Sequence, residues 1–355
     1  MPDERASIVT EPPRAVRPED ISVIMPVGGD PTAARRAIPA VLKFSPPPGE
    51  FIVVADGLQV EARAFLSREG VTVLAIDGRH GPGIARNAGA ARARGRVLLF
   101  LDADVEPPGD LVGRVAAILT EAPDAAAVIG SYDDRPTAPG IVSQYRNLLH
   151  HFVHQHSNEA TTTFWGACGA IRREAFAAVG GFPSHYRRPC IEDIELGQQL
   201  VRAGYRIVLR KDLQVRHLKR WTAWSVFKTD LLDRAVPWSL LILRSGVWPR
   251  DLNVRREHLA SVALTMLALG SAIAAIRFRP MLALLACCLV GIVVANTRFY
   301  AFLTRRRGWA FTLAAISWHF VHYLAGGLGF IAAFVWFLIT DCLLHSQNTT
   351  RLPPA

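Results

Sequence analysis

Residues 258–276, HLASVALTMLALGSAIAAI, run for nineteen positions without a charged side chain. A helix of about twenty such residues matches the hydrocarbon thickness of a bilayer. It is apolar around its whole circumference, so no single neighbour in a soluble core would cover it. This run divides the chain: the part before it folds in water, and the part after it is solvated by lipid. MLALLACCLVGIVVAN (281–296) is shorter and needs its flanks to span. TRFYAFLTRRRGW (297–309) reads as a basic loop, and some thirty mostly apolar residues come after it at 310–340. The last stretch is too long for one simple crossing. It reads as an interfacial piece, FTLAAISWHFVHY, and a crossing piece, LAGGLGFIAAFVWFLI. The expectation is a transmembrane region at 258–341 with about three helices, and a tail at 342–355.

Arginines set the orientation. Arg255, Arg256, Arg298, Arg305, Arg306 and Arg307 fall on one side of these segments, and Arg277 and Arg279 on the other. The richer side faces the cytoplasm, which places residues 1–257 there. The formal charge of +10 is by itself ambiguous between nucleic acid, a membrane surface and anionic substrates. Its arginines gather beside apolar spans rather than in an aromatic-interleaved stripe, so membrane lipids are the expected partner and nucleic acid is not. Five cysteines, without a C-x-x-C pair, form neither a disulfide framework nor a zinc motif. Residues 1–19 are polar and Pro-rich, lack the apolar core of a signal peptide, and read as a disordered lead.

Residues 20–223 alternate short β-rich apolar runs with helical stretches. ISVIMP (21–26), FIVVAD (51–56), VTVLAI (71–76) and VLLFLD (97–102) read as strands, and 31–43, 59–69 and 83–95 as helices. The pattern predicts an α/β domain, a Rossmann-like parallel sheet with helices on both faces. Ligands of such sheets bind at the carboxyl ends of the strands. Pro26, Asp56 and Asp102 all sit at those ends.

GPGIARNAG (81–89) follows a strand and opens a helix but lacks the third glycine of a dinucleotide loop, and no P-loop motif occurs. Arg86 at this helix start suits a phosphate or sugar contact, or a solvated helix end. Asp102-Ala103-Asp104 offers two carboxylates in a turn. These can reach one Mg²⁺ or Mn²⁺ and leave coordination positions for substrate phosphates. The plainer alternative is a solvated turn before a helix.

Glu192-Asp193 opens an amphipathic helix, and His217-Leu218-Lys219-Arg220-Trp221 follows a later strand. Taken in order from Ile21 to about Trp238, these motifs resemble family 2 glycosyltransferases of the GT-A fold, specifically the membrane-anchored bacterial type with C-terminal transmembrane helices. The resemblance implies a nucleoside-binding role for Asp56 and a D-x-D motif at Asp102–Asp104, with Asp104 the direct metal ligand. It implies a donor/acceptor loop at FWGACGAIRREAF (164–176), where Trp165 and Gly166 face the acceptor, and an E-D pair whose Asp193 is the general base. Pro26, Arg86, Asp102, Ala103, Lys219, Arg220 and Trp221 would contact the donor. His217 stands where the Q-x-x-R-W motif has Gln and could complete the metal shell. The first strand ends in PVGGD and the second in VVADG, so contacts to the base differ from the usual pattern.

The implied chemistry is inverting, metal-assisted transfer from a nucleotide-diphosphate sugar, with Asp193 taking the acceptor proton. Lys219, Arg220 and the metal would stabilise the leaving diphosphate. The implied location is the inner (cytoplasmic) membrane, multi-pass. Residues 224–245 cluster apolar side chains on one face between Trp224 and Trp238, with Pro237 as a kink. They read as an interfacial helix, and 224–257 as helix and linker, which favours a lipid or lipid-linked acceptor. Two other readings stay open. One is a non-catalytic nucleotide-sugar-binding membrane scaffold, which three acids at strand and helix ends disfavour. The other is a processive polysaccharide synthase, which is expected to have more spans. HHFVHQH (150–156) places His150 and His154 one helical turn apart without a carboxylate partner, so it reads as a pocket or membrane border rather than a zinc site.

Overall fold

The computed structural model describes residues 15–59, 66, 71–248, 252 and 255–349, with side chains described through 340. Most of the expected lead, most of the helix expected at 59–69, and the end of the tail lie outside the described residues.

The four expected strands form as β1 (Ile21–Gly28), β2 (Glu50–Asp56), β3 (Thr72–Ile76) and β4 (Val97–Leu101). Their helices are α1 (Ala34–Leu42) and α2 (Pro82–Arg92). Every residue of β4 is buried, as an unbroken apolar run covered on both faces requires. Next come β5 (Val105–Glu106), α3 (Leu111–Glu121), β6 (Ala125–Tyr132), α4 (Ile141–Gln155), β7 (Ala160–Thr161) and β8 (Cys168–Arg172). Then α5 (Arg173–Ala178), α6 (Glu192–Arg202) and β9 (Arg206–His217) complete the sheet domain. The strand order is β3-β2-β1-β4-β8-β6-β9-β5, with β7 also on β9.

The parallel arrangement holds from β3 to β4, but β8 enters antiparallel between β4 and β6. Small residues admit it: a Cβ on Gly169 would lie 2.5 Å from the Trp165 carbonyl oxygen. Pro26 does not end the first strand. Pairing with β4 stops at Ile24, while pairing with β2 continues to Gly28 opposite Asp56. A residue lacking an N–H is tolerated where only one neighbour remains.

Helical structure then continues through α7 (Ala223–Lys228), a π-helical turn (Thr229–Ala235) and α8 (Val236–Ser245). The π turn directly precedes Pro237, which has no N–H for an α-helical bond and whose ring crowds the carbonyl four residues back. The remaining helices are α9 (Arg256–Ala275), α10 (Met281–Ala295), α11 (Thr297–Arg307) and α12 (Trp309–Thr349). Among the described residues α9, and α12 from Trp309 to Thr340, are long and apolar enough to cross a membrane. Helices α10 and α11 would form a third span only as a pair bent by 65°.

Two expectations change. The stretch read as a basic loop is the helix α11, and 310–340 forms one unbroken helix rather than an interfacial and a crossing piece. Both changes have the same cause: nothing in either stretch breaks a helix except Gly308, whose positive φ separates α11 from α12.

The helical half is fastened to the sheet domain by charge. Asp230 of the π turn is 4% exposed and pairs with Arg146 of α4 at 2.6 Å and with His322 of α12 at 2.8 Å. Arg306 reaches Asp134 at 2.6 Å, and Arg307 donates to Gln144 at 3.0 Å. Gly329 of α12 lets the π turn come close: a Cβ there would meet the Ala235 Cβ at 2.4 Å. Arg277 and Arg279 lie in the short connection between α9 and α10.

Candidate active site

The sheet places the acidic turn and His217 together through backbone pairing. Strand β5 leaves the Asp102–Asp104 turn and pairs antiparallel with the end of β9, so that Val105 faces His217. The Leu218 N–H donates to the Asp104 carbonyl at 2.8 Å, fixing the turn to the strand end. His217 Nε2 then stands 3.6 Å from Asp104 Oδ2. Its Nδ1 bonds Asn147 Oδ1 of α4 at 2.5 Å. Because that oxygen only accepts, Nδ1 carries a hydrogen, and Nε2 is the ring nitrogen turned toward Asp104. Sequence reading missed Asn147, which lies seventy residues from its partner. The pull of His217, together with Lys219, outweighs burial and holds the Asp104 carboxyl below its ordinary value.

Asp102 is engaged differently. Arg86 Nη2 donates to Asp102 Oδ1 at 2.5 Å, and Arg86 Nη1 donates to Glu192 Oε1 at 3.0 Å. The expected ligand trio of Asp104, Asp102 and His217 therefore does not assemble. Among the described residues no group of three His, Cys, Asp or Glu is arranged to hold a metal. The four-histidine stretch forms no such group either; His151 and His154 bond the backbone carbonyls of Tyr132 and Gly130. Asp104 and His217 do offer one hard oxygen and one imidazole nitrogen from a fixed pair. A divalent ion fits there with substrate oxygens completing its shell.

Arg86 is not the exposed phosphate contact expected at a helix start. It is 3% exposed, lies over the Phe182 ring at 5.2 Å, and bridges the acidic turn to the E-D pair. Its next residue, Asn87, exchanges two hydrogen bonds with the Phe182 backbone at 2.8 and 2.9 Å. The guanidinium also explains Gly166, where a Cβ would sit 2.7 Å from Arg86 Cζ. The glycine-rich start of α2 serves the same packing. Asp56 accepts the N–H groups of His80 and Gly81, each at 2.8 Å, so its carboxylate anchors this loop.

Asp193 opens α6. Its Oδ2 accepts the Gly166 N–H at 3.2 Å and its Oδ1 the Ile194 N–H at 2.9 Å. Burial and the adjacent Glu192 charge push its carboxyl up to about 6, against the opposing pull of Arg86, the Gly166 N–H and Arg234. Glu192 is 4% exposed, with one oxygen on Arg86 and the other on the Cys190 N–H at 2.9 Å. It positions its surroundings. Trp238 and Ile242 of α8 pack on Ile191 and Ile194, the residues flanking this pair.

Tyr132, at the end of β6, lies stacked between His217 at 4.3 Å and His150 at 5.6 Å. Trp165 packs on Tyr132 and on His154, at 4.7 and 5.0 Å, and is 8% exposed, so it builds the wall rather than offering a free face to a sugar. Lys219 Nζ sits 4.2 Å from the Trp221 ring, and Arg220 beside it is exposed. Ala103 is half-buried at the tip of the acidic turn, and Pro26 is buried within β1.

Residues 22–180 match the family model described as glycosyl transferase family 2, and residues 146–221 match the one described as N-terminal domain of galactosyltransferase. No curated protein matches the chain in sequence. Among solved structures, the mannosyltransferase PcManGT from Pyrobaculum calidifontis, in complex with GDP-Man and Mn²⁺, is similar at a TM-score of 0.49 and 18% identity. That match covers 93% of this chain and 91% of the other. GalNAc-T7 with UDP, GalNAc and Mn²⁺ is similar at 0.47 and 16%, covering 69% of this chain and 50% of that one. S. aureus TarS is similar at 0.45 and 14%, covering 86% and 54%. With the acidic turn, the E-D helix and the mixed sheet in this order, the chain carries a glycosyltransferase domain that matches the glycosyl transferase family 2 model over residues 22–180 and is followed by helices, two of them apolar enough to span a membrane.

Proposed function

We propose that the protein is an inverting glycosyltransferase that moves a sugar from a nucleotide-diphosphate sugar to a hydroxyl of a membrane-associated acceptor, with Asp193 as general base. The observation that carries this reading is the Arg86 bridge. It ties the acidic turn to Glu192, so the neighbouring Asp193 is held at a fixed offset from the place where a diphosphate would bind. In the transfer the acceptor O–H gives its proton to Asp193, the acceptor oxygen bonds C1, and the C1–O bond to the diphosphate breaks with its electrons. Lys219 supports the developing negative charge from the rim. Asp104 and His217 would hold Mg²⁺ or Mn²⁺, which supplies further charge neutralisation at the diphosphate. Asp56 shapes the nucleoside side of the cleft by fixing the loop before α2.

The metal assignment is tested by titrating nucleoside diphosphate with and without Mn²⁺ on the wild type and on Asp104→Ala. Mn²⁺ should tighten binding to the wild type by roughly tenfold or more and leave the variant unaffected. Equal affinity in all four titrations would remove the metal from this site.

The sidedness of the arginines supports a multi-pass protein of the cytoplasmic membrane with its sheet domain in the cytoplasm. In a chain whose own cysteines are replaced, an impermeant thiol reagent added to intact cells should label Arg279→Cys and miss Arg306→Cys. The opposite pattern would invert the topology.

A further inference from the structure

The π turn holds three charged residues, and two are already matched. Asp230 pairs with Arg146 and His322, and Asp233 pairs with Arg188 at 3.0 Å. Arg234 has no carboxylate partner among the described residues. Its Nη1 lies 3.3 Å from His150 Nε2. His150 is half-buried beside the cations Arg146 and Arg234, so desolvation and these charges hold its pKa well below the ordinary value and the ring is neutral. Arg234 is therefore a half-buried cation whose nearest partner brings no charge. Such a group is costly to desolvate unless an anion joins it.

Its position says which anion. Arg234 reaches His150, His150 stacks on Tyr132 at 5.6 Å, and Tyr132 packs on Trp165, whose neighbour Gly166 donates to Asp193, so this row of contacts leads from the guanidinium to the base side of the cleft. The donor diphosphate has its own cations at the acidic turn, across the stacked rings of His217, Tyr132 and His150. The π turn makes this placement possible, because a widened turn shifts the following side chains from where an α-helix would put them. The segment also adjoins the lipid-facing part of the chain: Trp224 is 70% exposed and the π turn packs on α12.

We propose that Arg234 binds the phosphate of an anionic lipid acceptor whose hydroxyl lies beside Asp193. The planar guanidinium matches two phosphate oxygens at once. The phosphate is recognised and not altered, since the attacking atom is the hydroxyl oxygen. This assignment rests on the reading of Asp193 as the base that faces the acceptor.

The test uses the full chain in phosphatidylcholine nanodiscs, with nucleoside diphosphate and Mn²⁺ present. Three probes are titrated: dihexanoyl phosphatidylglycerol, dihexanoylglycerol and glycerol phosphate. The wild type should bind the phosphatidylglycerol roughly ten- to a hundredfold more tightly than the uncharged diacylglycerol. Arg234→Gln should lose that preference, Arg234→Lys should keep part of it, and nucleoside diphosphate affinity should stay unchanged in both. An undiminished preference in Arg234→Gln overturns the proposal. So does loss of nucleoside diphosphate binding in that variant, which would assign Arg234 to the donor. Glycerol phosphate binding as tightly as the lipid would replace the lipid headgroup with a free phosphate compound. Asp193→Asn should still bind the phosphatidylglycerol. If Asp193→Asn also transfers sugar at the wild-type rate, the base assignment fails while the Arg234 site stands.

Discussion

Asp193→Asn is expected to transfer sugar roughly two to four orders of magnitude more slowly than the wild type, with nucleoside diphosphate binding unchanged. Asparagine keeps the shape and can still accept the Gly166 and Ile194 N–H groups through its oxygen. What it loses is basicity. A drop in kcat without a change in donor affinity is therefore the signature of the base, and a near wild-type rate would exclude Asp193 from that role. The pH profile gives a second check. A carboxyl raised to about 6 is protonated below that pH, so kcat/KM should fall as the pH drops through about 6. In the residual activity of Asp193→Asn that acid limb should be gone. The helix start and nearby cations favour an ionised carboxyl near neutral pH, and a value of about 6 still leaves it mostly ionised there. Burial and Glu192 raise it only far enough to bring the acid limb close to neutrality.

Arg86→Met should destabilise the sheet domain by about 3–5 kcal/mol, because it leaves two carboxylates without the buried cation they share. Glu192 is 4% exposed and cannot turn to water. Thermal unfolding of the purified full chain should show the loss. Adding Glu192→Gln to Arg86→Met should restore part of it, since the stranded charge is then removed. Strict additivity of the two changes would show that the bridge carries no coupling. Arg86→Lys should fall in between, because a single ammonium cannot reach both acids as the guanidinium fork does.

The sheet was legible wherever strands are buried on both faces, because Val23–Val27, Ile52–Ala55 and Val97–Leu101 are apolar without interruption. Strand β8 was harder, since Cys168-Gly169-Ala170 is small and looks like loop. The site was legible as chemistry and less so as geometry. Asp102, Asp104, Asp193 and His217 announce themselves by residue type and by their place at element ends. Arg86 looks the same in sequence whether it meets a ligand or a buried acid, and its partner Glu192 is 106 residues away. Asn147 and Arg234 went unnoticed for related reasons. Asn147 lies in a helix read for its histidines. Arg234 lies in a helix read for its apolar face, and a π turn breaks the 3.6-residue period on which such a reading depends. The available signal was Asp230, Asp233 and Arg234 crowding the turn before Pro237 in an otherwise apolar segment.

The Asp230 clasp has a consequence for how this enzyme can be rearranged. One carboxylate joins α4 of the sheet domain, the π turn and α12, so the sheet domain and the helices after it are not independent modules. A chimera that exchanged only the helices from α9 onward would remove His322 and leave Arg146 and Asp230 to each other. One cut before α7 would take Asp230 away, leave the Arg146 charge buried and alone, and strip Trp238 and Ile242 from the flanks of Glu192 and Asp193. Any transplant of the sheet domain onto other helices must therefore carry residues 221–245 with it.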